Sequence, residues 1–173
     1  MADHFIDIVN EKDEVVGKEL KSRKEKMGFI SRVVAIIVKN SEGKIIICKR
    51  SLKKENDPGK FDLSACGNVD AGENYEEAAE RELMEETGIK APLILLDKAY
   101  VENIHRGIKF KYFVKIFLVN SDDEPKLNNE VVLFRKITPE DLEKEMAEDP
   151  EAFCQGFKKD FQRVKNQLTR HIN

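Results

Sequence analysis

No apolar run in this chain approaches the length needed to cross a membrane. Its start, MADHFIDIVNEKDE, has neither the basic nor the apolar block of a secretion signal. Cysteine is scarce. Cys48, Cys66 and Cys154 are odd in number and widely spaced, which argues against a disulfide framework or a zinc site and fits reduced thiols in a cytoplasmic protein. A dominant charge is missing too: 30 Lys and Arg stand against 33 Asp and Glu, interspersed, for a net charge of −3. Neither a nucleic-acid partner nor a membrane-binding face is therefore expected. There is no linker, internal repeat or low-complexity segment. With 40% hydrophobic and 36% charged residues, the chain reads as one soluble globular domain over residues 1–173.

What is present is an alternation of strand-like and helix-like stretches. Phe5–Val9 and Glu14–Gly17 flank the turn formers Asn10-Glu11-Lys12-Asp13, and the basic stretch Lys21–Met27 reads as a helical turn. Ile30–Lys39 is β-branched and apolar almost throughout, as a central strand is. Lys44–Lys49 returns as its hairpin partner after a turn at Asn40–Gly43. A polar loop with Pro58-Gly59 leads into a strand at Phe61–Cys66. Further strands are expected at Pro92–Val101, Lys109–Val119 and Glu130–Arg135. Thr138 and Pro139 open a helix over about 139–146 as N-cap and first residue. Asp149-Pro150-Glu151 opens a last helix, whose Phe153, Phe157, Phe161 and Val164 form an apolar stripe for the core. This order fits an α/β/α sandwich around a mixed β-sheet.

The chain is organised around residues 67–89, GNVDAGENYEEAAERELMEETGI. Good helix formers and a Gly at 88 suited to the C-cap predict a helix over about 75–87. At about 100° per residue, Glu82 and Glu86 fall on one stripe with Tyr75, Ala78 and Ala79, beside Leu83, while Glu76, Glu77 and Glu80 face away. Small residues let a helix approach a sheet closely. Two carboxylates among them are costly to bury without a cation. Glu85 at the stripe's edge completes an oxygen-rich set suited to Mg²⁺ or Mn²⁺.

The pattern Gly67-x5-Glu73-x7-Arg81-Glu82-Leu83-x-Glu85-Glu86-x-Gly88-Ile89 resembles the Nudix box, the signature of hydrolases acting on a diphosphate linked to some further group. All nine fixed positions are filled. Outside the box the chain is similar to the isopentenyl-diphosphate isomerase-like branch, in its amino-terminal hairpin, Lys49-Arg50-Ser51, Pro58-Gly59 and Ser64-x-Cys66-Gly67. That resemblance implies substrate-diphosphate contacts at Lys21, Arg50 and Lys54, a catalytic cysteine at Cys66, and a carboxylate near the metal at Glu130. The isomerase's histidines, however, are matched by Glu25, Ser31 and Asn68, none of which supplies an imidazole ligand. His4, His105 and His171 look incidental. Cys66 also fits a small buried residue at a strand end, which is the preferred reading.

The expectation is a Mg²⁺-dependent (or Mn²⁺-dependent) Nudix pyrophosphohydrolase of a nucleoside diphosphate derivative or similar small organic diphosphate, monomeric or homodimeric. Glu82, Glu85 and Glu86 are the candidate metal ligands, Glu85 or Glu130 the candidate base, and Arg81 the structural partner of Glu73. An isopentenyl-diphosphate isomerase-like enzyme and a non-catalytic diphosphate-binding module are the alternatives.

Overall fold

The structure, a computed structural model, describes residues 3–105 and 107–170. Its spine is β3 (Ile30–Lys39), which runs parallel to β8 (Ile108–Asn120) over ten residue pairs, Ile30 opposite Lys111 through Lys39 opposite Asn120. β7 (Ile94–His105) continues the sheet antiparallel to β8, and β6 (Ala65–Asn68) lies antiparallel on the other side of β3. The sheet is thus mixed, as the element order predicts.

β4 (Ile45–Arg50) pairs with β3 only at Val38–Ile46 and Lys39–Ile45, then swings away to pair with β5 (Phe61–Asp62) and β9 (Val131–Ile137). The single strand expected at Phe61–Cys66 is therefore two. The break has a cause at Ser64, whose buried hydroxyl donates to the Ile46 carbonyl (2.5 Å) and accepts from the Val38 N–H (2.8 Å). One side chain bridges the parting strands, so β5 stays with β4 and β6 joins β3.

Strand alternation sends one set of side chains to each face. Val34, Ile36, Val38, Phe113 and Phe117 pack under α2 (Tyr75–Thr87). Ala35, Ile37, Val114, Ile116 and Leu118 pack under α3 (Pro139–Glu148) and α4 (Gln155–Arg170). The result is the expected α/β/α sandwich. Phe157, Phe161 and Val164 are fully buried, so the aromatic stripe is core. Phe153 precedes α4 instead of lying on it, in an extended stretch after the 3-10 turn Pro150–Ala152. The basic segment is a 3-10 turn (Lys21–Arg23) followed by the one-turn helix α1 (Lys24–Met27). No helix among the described residues is long and apolar enough to cross a membrane.

The hairpin of β1 (Phe5–Val9) and β2 (Val15–Leu20) pairs with β3 only at Val9–Ile30 and is joined to the loop after β6 by the Ala71 N–H on the Phe5 carbonyl (2.9 Å). Asp13 in its turn adds a tie to three further elements. The carboxylate accepts from Arg32 Nε (2.6 Å), from the Tyr75 hydroxyl (3.0 Å) and from Lys98, while Arg32 also donates to the Asp13 carbonyl. β1–β2, β3, α2 and β7 meet there. Burial raises the Asp13 carboxyl, but hydrogen bonds from Lys98, Arg32 and Tyr75 outweigh it and hold the group below its ordinary 3.8. A depressed carboxyl adds stability that is present above the unfolded value and is lost as pH falls through the folded one. Asp13→Ala is expected to cost about 1.5–3 kcal/mol near neutral pH, the scale of charged hydrogen bonds. Denaturant titrations should show the gap to the parent closing below about pH 4. An unchanged midpoint at pH 7 would mean the hairpin is held by other contacts.

Candidate active site

The site forms where α2 approaches β6. Asn74 starts the helix with a reciprocal cap: its Oδ1 accepts from Glu77 N (2.9 Å), and Glu77 Oε2 accepts from Asn74 N (2.9 Å). Gly88 ends it in the left-handed region at φ 72°, with its N–H on the Met84 carbonyl. Between these stops, Tyr75, Ala78, Ala79 and Leu83 are buried, and Glu82 and Glu86 point at β6 from the same side.

At position 67 any residue but glycine would displace the Glu82 carboxylate. A Cβ there would lie 2.0 Å from Glu82 Oε1. Glu86 Oε2 accepts the Cys66 backbone N–H at 3.0 Å. Burial is the main cause that raises both carboxyls, Glu86 to about 8. Arg81 holds the arrangement together. Nε and Nη2 grip both oxygens of Glu73 (2.8 and 2.9 Å), Nη1 donates to Glu82 (2.7 Å), and Nη2 also reaches the Asn68 carbonyl (3.0 Å). The Glu73–Arg81 pairing is as expected, and it ties the loop after β6 to α2.

A cleft of about 520 Å³ opens here, lined by Glu82, Glu85 and Glu86 from α2, Cys66 and Gly67 from β6, Lys21, Lys54, and Asn128 to Glu130. The structure thus brings Lys21, Lys54, Glu130 and the three box glutamates to one place, from four separate parts of the chain. Glu130 pairs with Lys54 across it. Arg50 is not among the lining residues. Its guanidinium binds the buried Asp62 at 3.0 Å and the Asn56 carbonyl at 3.1 Å, on the wall made by β4 and β5. Glu85 is the open member of the acidic set, its side chain 60% exposed and 3.6 Å from Arg81. Burial pushes the Cys66 thiol well above its ordinary value, with Asp62 and Glu86 adding to the effect, so it is neutral at physiological pH.

Three participants escape a sequence reading. Asn128 donates to the Glu86 carbonyl (3.1 Å) and accepts from the N–H groups of Glu130 and Val131. It clips the loop before β9 to the end of α2 and so sets Glu130 in the cleft. The Asn-Asn pair before a strand was the available signal. His4 is in the wall, with Nε2 3.1 Å from Asp70. His171 lies outside the described residues. Lys24, whose ammonium burial pushes down to about 8, stands 3.4 Å from Asn68 Oδ1.

Among the described residues, no three acidic, Cys or His side chains converge as a ready-made metal cage, and Arg81 holds Glu82. The donor set nonetheless fits a hard divalent cation. Glu86 is part-buried with a single N–H partner, Glu82 shares one guanidinium, and both bring carboxylate oxygens to a cleft.

Residues 30–156 match the family model for the NUDIX domain. An uncharacterised Nudix hydrolase of Nostoc is 35% identical over 129 residues, covering 72% of this chain and 73% of that protein. An isopentenyl-diphosphate Delta-isomerase of Photorhabdus laumondii is 27% identical over 159 residues, covering 91% and 90%. The crystal structure of a Deinococcus radiodurans protein superposes with a TM-score of 0.78 at 29% identity, covering 92% of this chain and 98% of that one.

The Cβ of Gly67→Ala would meet only the mobile end of Glu82, so the variant is expected to fold with stability within about 1 kcal/mol of the parent, the worth of a part-exposed ion pair. Its crystal structure should show the Glu82 carboxylate turned out of the cleft and off Arg81. Glu82 in place, with β6 shifted instead, would show that the helix–strand distance is set elsewhere.

Proposed function

The chain belongs to the Nudix family, and on that premise we propose that it is a Mg²⁺-dependent pyrophosphohydrolase cleaving the diphosphate linkage of a nucleoside diphosphate derivative or similar organic diphosphate. The observation that carries this reading is the pair Glu82 and Glu86, aimed from α2 at the backbone of β6, where Arg81 offsets Glu82 alone and Glu86 has no ion pair among the described residues. A second carboxylate in such a place calls for a further cation. Glu82 and Glu86, assisted by Glu85, would hold the ion, with a backbone carbonyl near Cys66 as a further ligand. Such an ion would supply electrostatic stabilisation of the charge that develops on the leaving phosphate.

The chain's own side chains supply the rest. Lys21 and Lys54 face the same cleft and provide cations for the diphosphate. Arg50, engaged by Asp62, serves it indirectly by fixing the wall from which Lys54 projects. Of the two candidate bases, Glu85 is the exposed one, with a 3.6 Å contact to Arg81, and would take a proton from an attacking water. Glu130 is tied to Lys54 and keeps that ammonium in place until substrate arrives. Isomerase chemistry is not adopted: Glu25, Ser31 and Asn68 offer no imidazole where that branch has its histidines, and the box is complete.

Chelation should abolish hydrolysis across a panel of nucleotides, nucleotide sugars and prenyl diphosphates, and Mg²⁺ or Mn²⁺ should restore it. Glu82→Gln and Glu86→Gln should each lower kcat by roughly a hundredfold or more without unfolding the chain. Full activity in the double variant would sink the assignment. Cys66→Ala, by contrast, should stay within a few-fold of the parent, as a tolerated small substitution does. Deuterium uptake from heavy water into isopentenyl diphosphate, lost in Cys66→Ala, would reinstate the isomerase.

A further inference from the structure

The amino-terminal segment runs beside the loop after β6 and supplies one wall of the cleft. Ile6 forms a β-bridge with Asp70, and the Gly72 N–H donates to the Asp7 carboxylate (3.4 Å). The same segment holds the turn that bears Lys21. The Lys21 N–H donates to the His4 carbonyl (2.9 Å), and Ser22 donates to the Asp3 carboxylate through its N–H (3.2 Å) and its hydroxyl (2.6 Å). His4 therefore holds Lys21 with its backbone and faces the box loop with its side chain.

His4 Nε2 lies 3.1 Å from Asp70 Oδ1, and Arg81 Nη2 lies 3.8 Å from the same oxygen. The first is out of line and the second too far, so Oδ1 is buried without a hydrogen bond. A buried acceptor left unmade is costly, and turning the imidazole satisfies it. Both residues are part-exposed and line the cleft of about 520 Å³ together with Lys21, Lys54, Glu82 and Glu86. Two runs of contacts end on its acidic pair. One passes from His4 to Asp70, to Arg81 and so to Glu82. The other passes from Lys54 to Glu130, to Asn128 and so to the Glu86 carbonyl. The cations of the cleft thus stand at two ends, and His4 belongs to the Glu82 end.

We propose that His4 is a phosphate-binding residue: with Lys21 it holds one phosphoryl group of the diphosphate at the Glu82 end of the cleft, while Lys54 holds the other at the Glu86 end. This rests on the hydrolase reading for the substrate and adds a contact which that reading lacks. Asp70 is the positioning residue. It occupies Nε2, so that Nδ1 is the nitrogen left for a phosphate oxygen. Two anions, one at each nitrogen, favour the doubly protonated ring, in which both nitrogens donate. A lysine ammonium is a point charge on a flexible stem, whereas an imidazole pinned at one nitrogen gives the other a fixed direction.

Calorimetry on the full chain with Mg²⁺ and methylenediphosphonate, which cannot be hydrolysed, reads binding apart from cleavage. His4→Ala should weaken binding roughly tenfold or more, the effect of losing a charge-assisted hydrogen bond. The carbonyl that holds Lys21 is untouched by the substitution, so the denaturant midpoint should stay near the parent's. His4→Asn, whose amide nitrogen can stand where Nδ1 does, should recover much of the loss. His4→Gln, whose amide stands in place of Nε2, should not. In ¹⁵N spectra of the histidine rings, the Nδ1 signal that disappears in His4→Gln should move when the probe is added to the parent. Unchanged affinity in His4→Ala, recovery by Gln and not by Asn, or no binding of the probe by the parent overturns the proposal and leaves His4 as a tie to Asp70. His4-dependent binding without cleavage of any member of the substrate panel would keep the contact and discard the hydrolase. Cleavage with KM unchanged in His4→Ala would do the reverse.

Discussion

At Gly67 the backbone of β6 and the inner face of α2 come so close that the Glu82 carboxylate fills the space a Cβ would take. That distance is the constraint on which the other features depend. It requires Ala78 and Ala79 beneath the helix, where larger side chains would hold it off the sheet. It strips water from Glu82 and Glu86, which is why their carboxyls are raised. It also makes Arg81 necessary, since the loop between β6 and α2 must hold a fixed length for the helix to land in register, and the Glu73 fork sets that length. Charge that would be trivial on an exposed helix becomes the most consequential electrostatic feature of the molecule.

The parts legible in the sequence are those governed by short-range rules. Helical spacing alone puts Glu82 and Glu86 on the buried side of α2 and Glu76, Glu77 and Glu80 on the other, and the structure agrees. The Glu73–Arg81 pair is eight residues long and contained in one loop and helix, so the motif predicts it. Illegible were the contacts that depend on which strands become neighbours. Arg50 looks like any free cation until β5 is seen to place Asp62 against it. The division of Phe61–Cys66 depends on Ser64 reaching two strands that are distant in sequence and only briefly adjacent in space. Asp160 was visible in principle, as a carboxylate on the apolar stripe of Phe157, Phe161 and Val164. The strength of that stripe as a packing signal concealed it.

The parting of β3 and β4 shapes the whole active face. Because only two residue pairs join them, β5 and β9 leave with β4, and β6 remains as a short, part-buried ledge beside the box helix. Lys54 and Glu130 come from the departing arm, Glu82 and Glu86 from the helix on the other, and the cleft is the gap between. An unbroken sheet would have closed it with paired strands. Asn128 spans the gap at its far end and keeps the two arms from drifting apart.

The long parallel pairing of β3 with β8 has a further consequence, in time instead of space. Its partners are roughly eighty residues apart in sequence, and contacts of that kind form late because a large loop must be closed first. The whole of residues 67–89 lies inside that loop. A growing chain therefore carries the complete motif long before it has the strand that roofs Ala78, Ala79 and Leu83 with Phe113 and Phe117. Until β8 arrives, the apolar side of the box helix lacks part of the surface it packs on. A chain cut before β8 would thus carry the whole signature on a helix that lacks Phe113 and Phe117 to pack against.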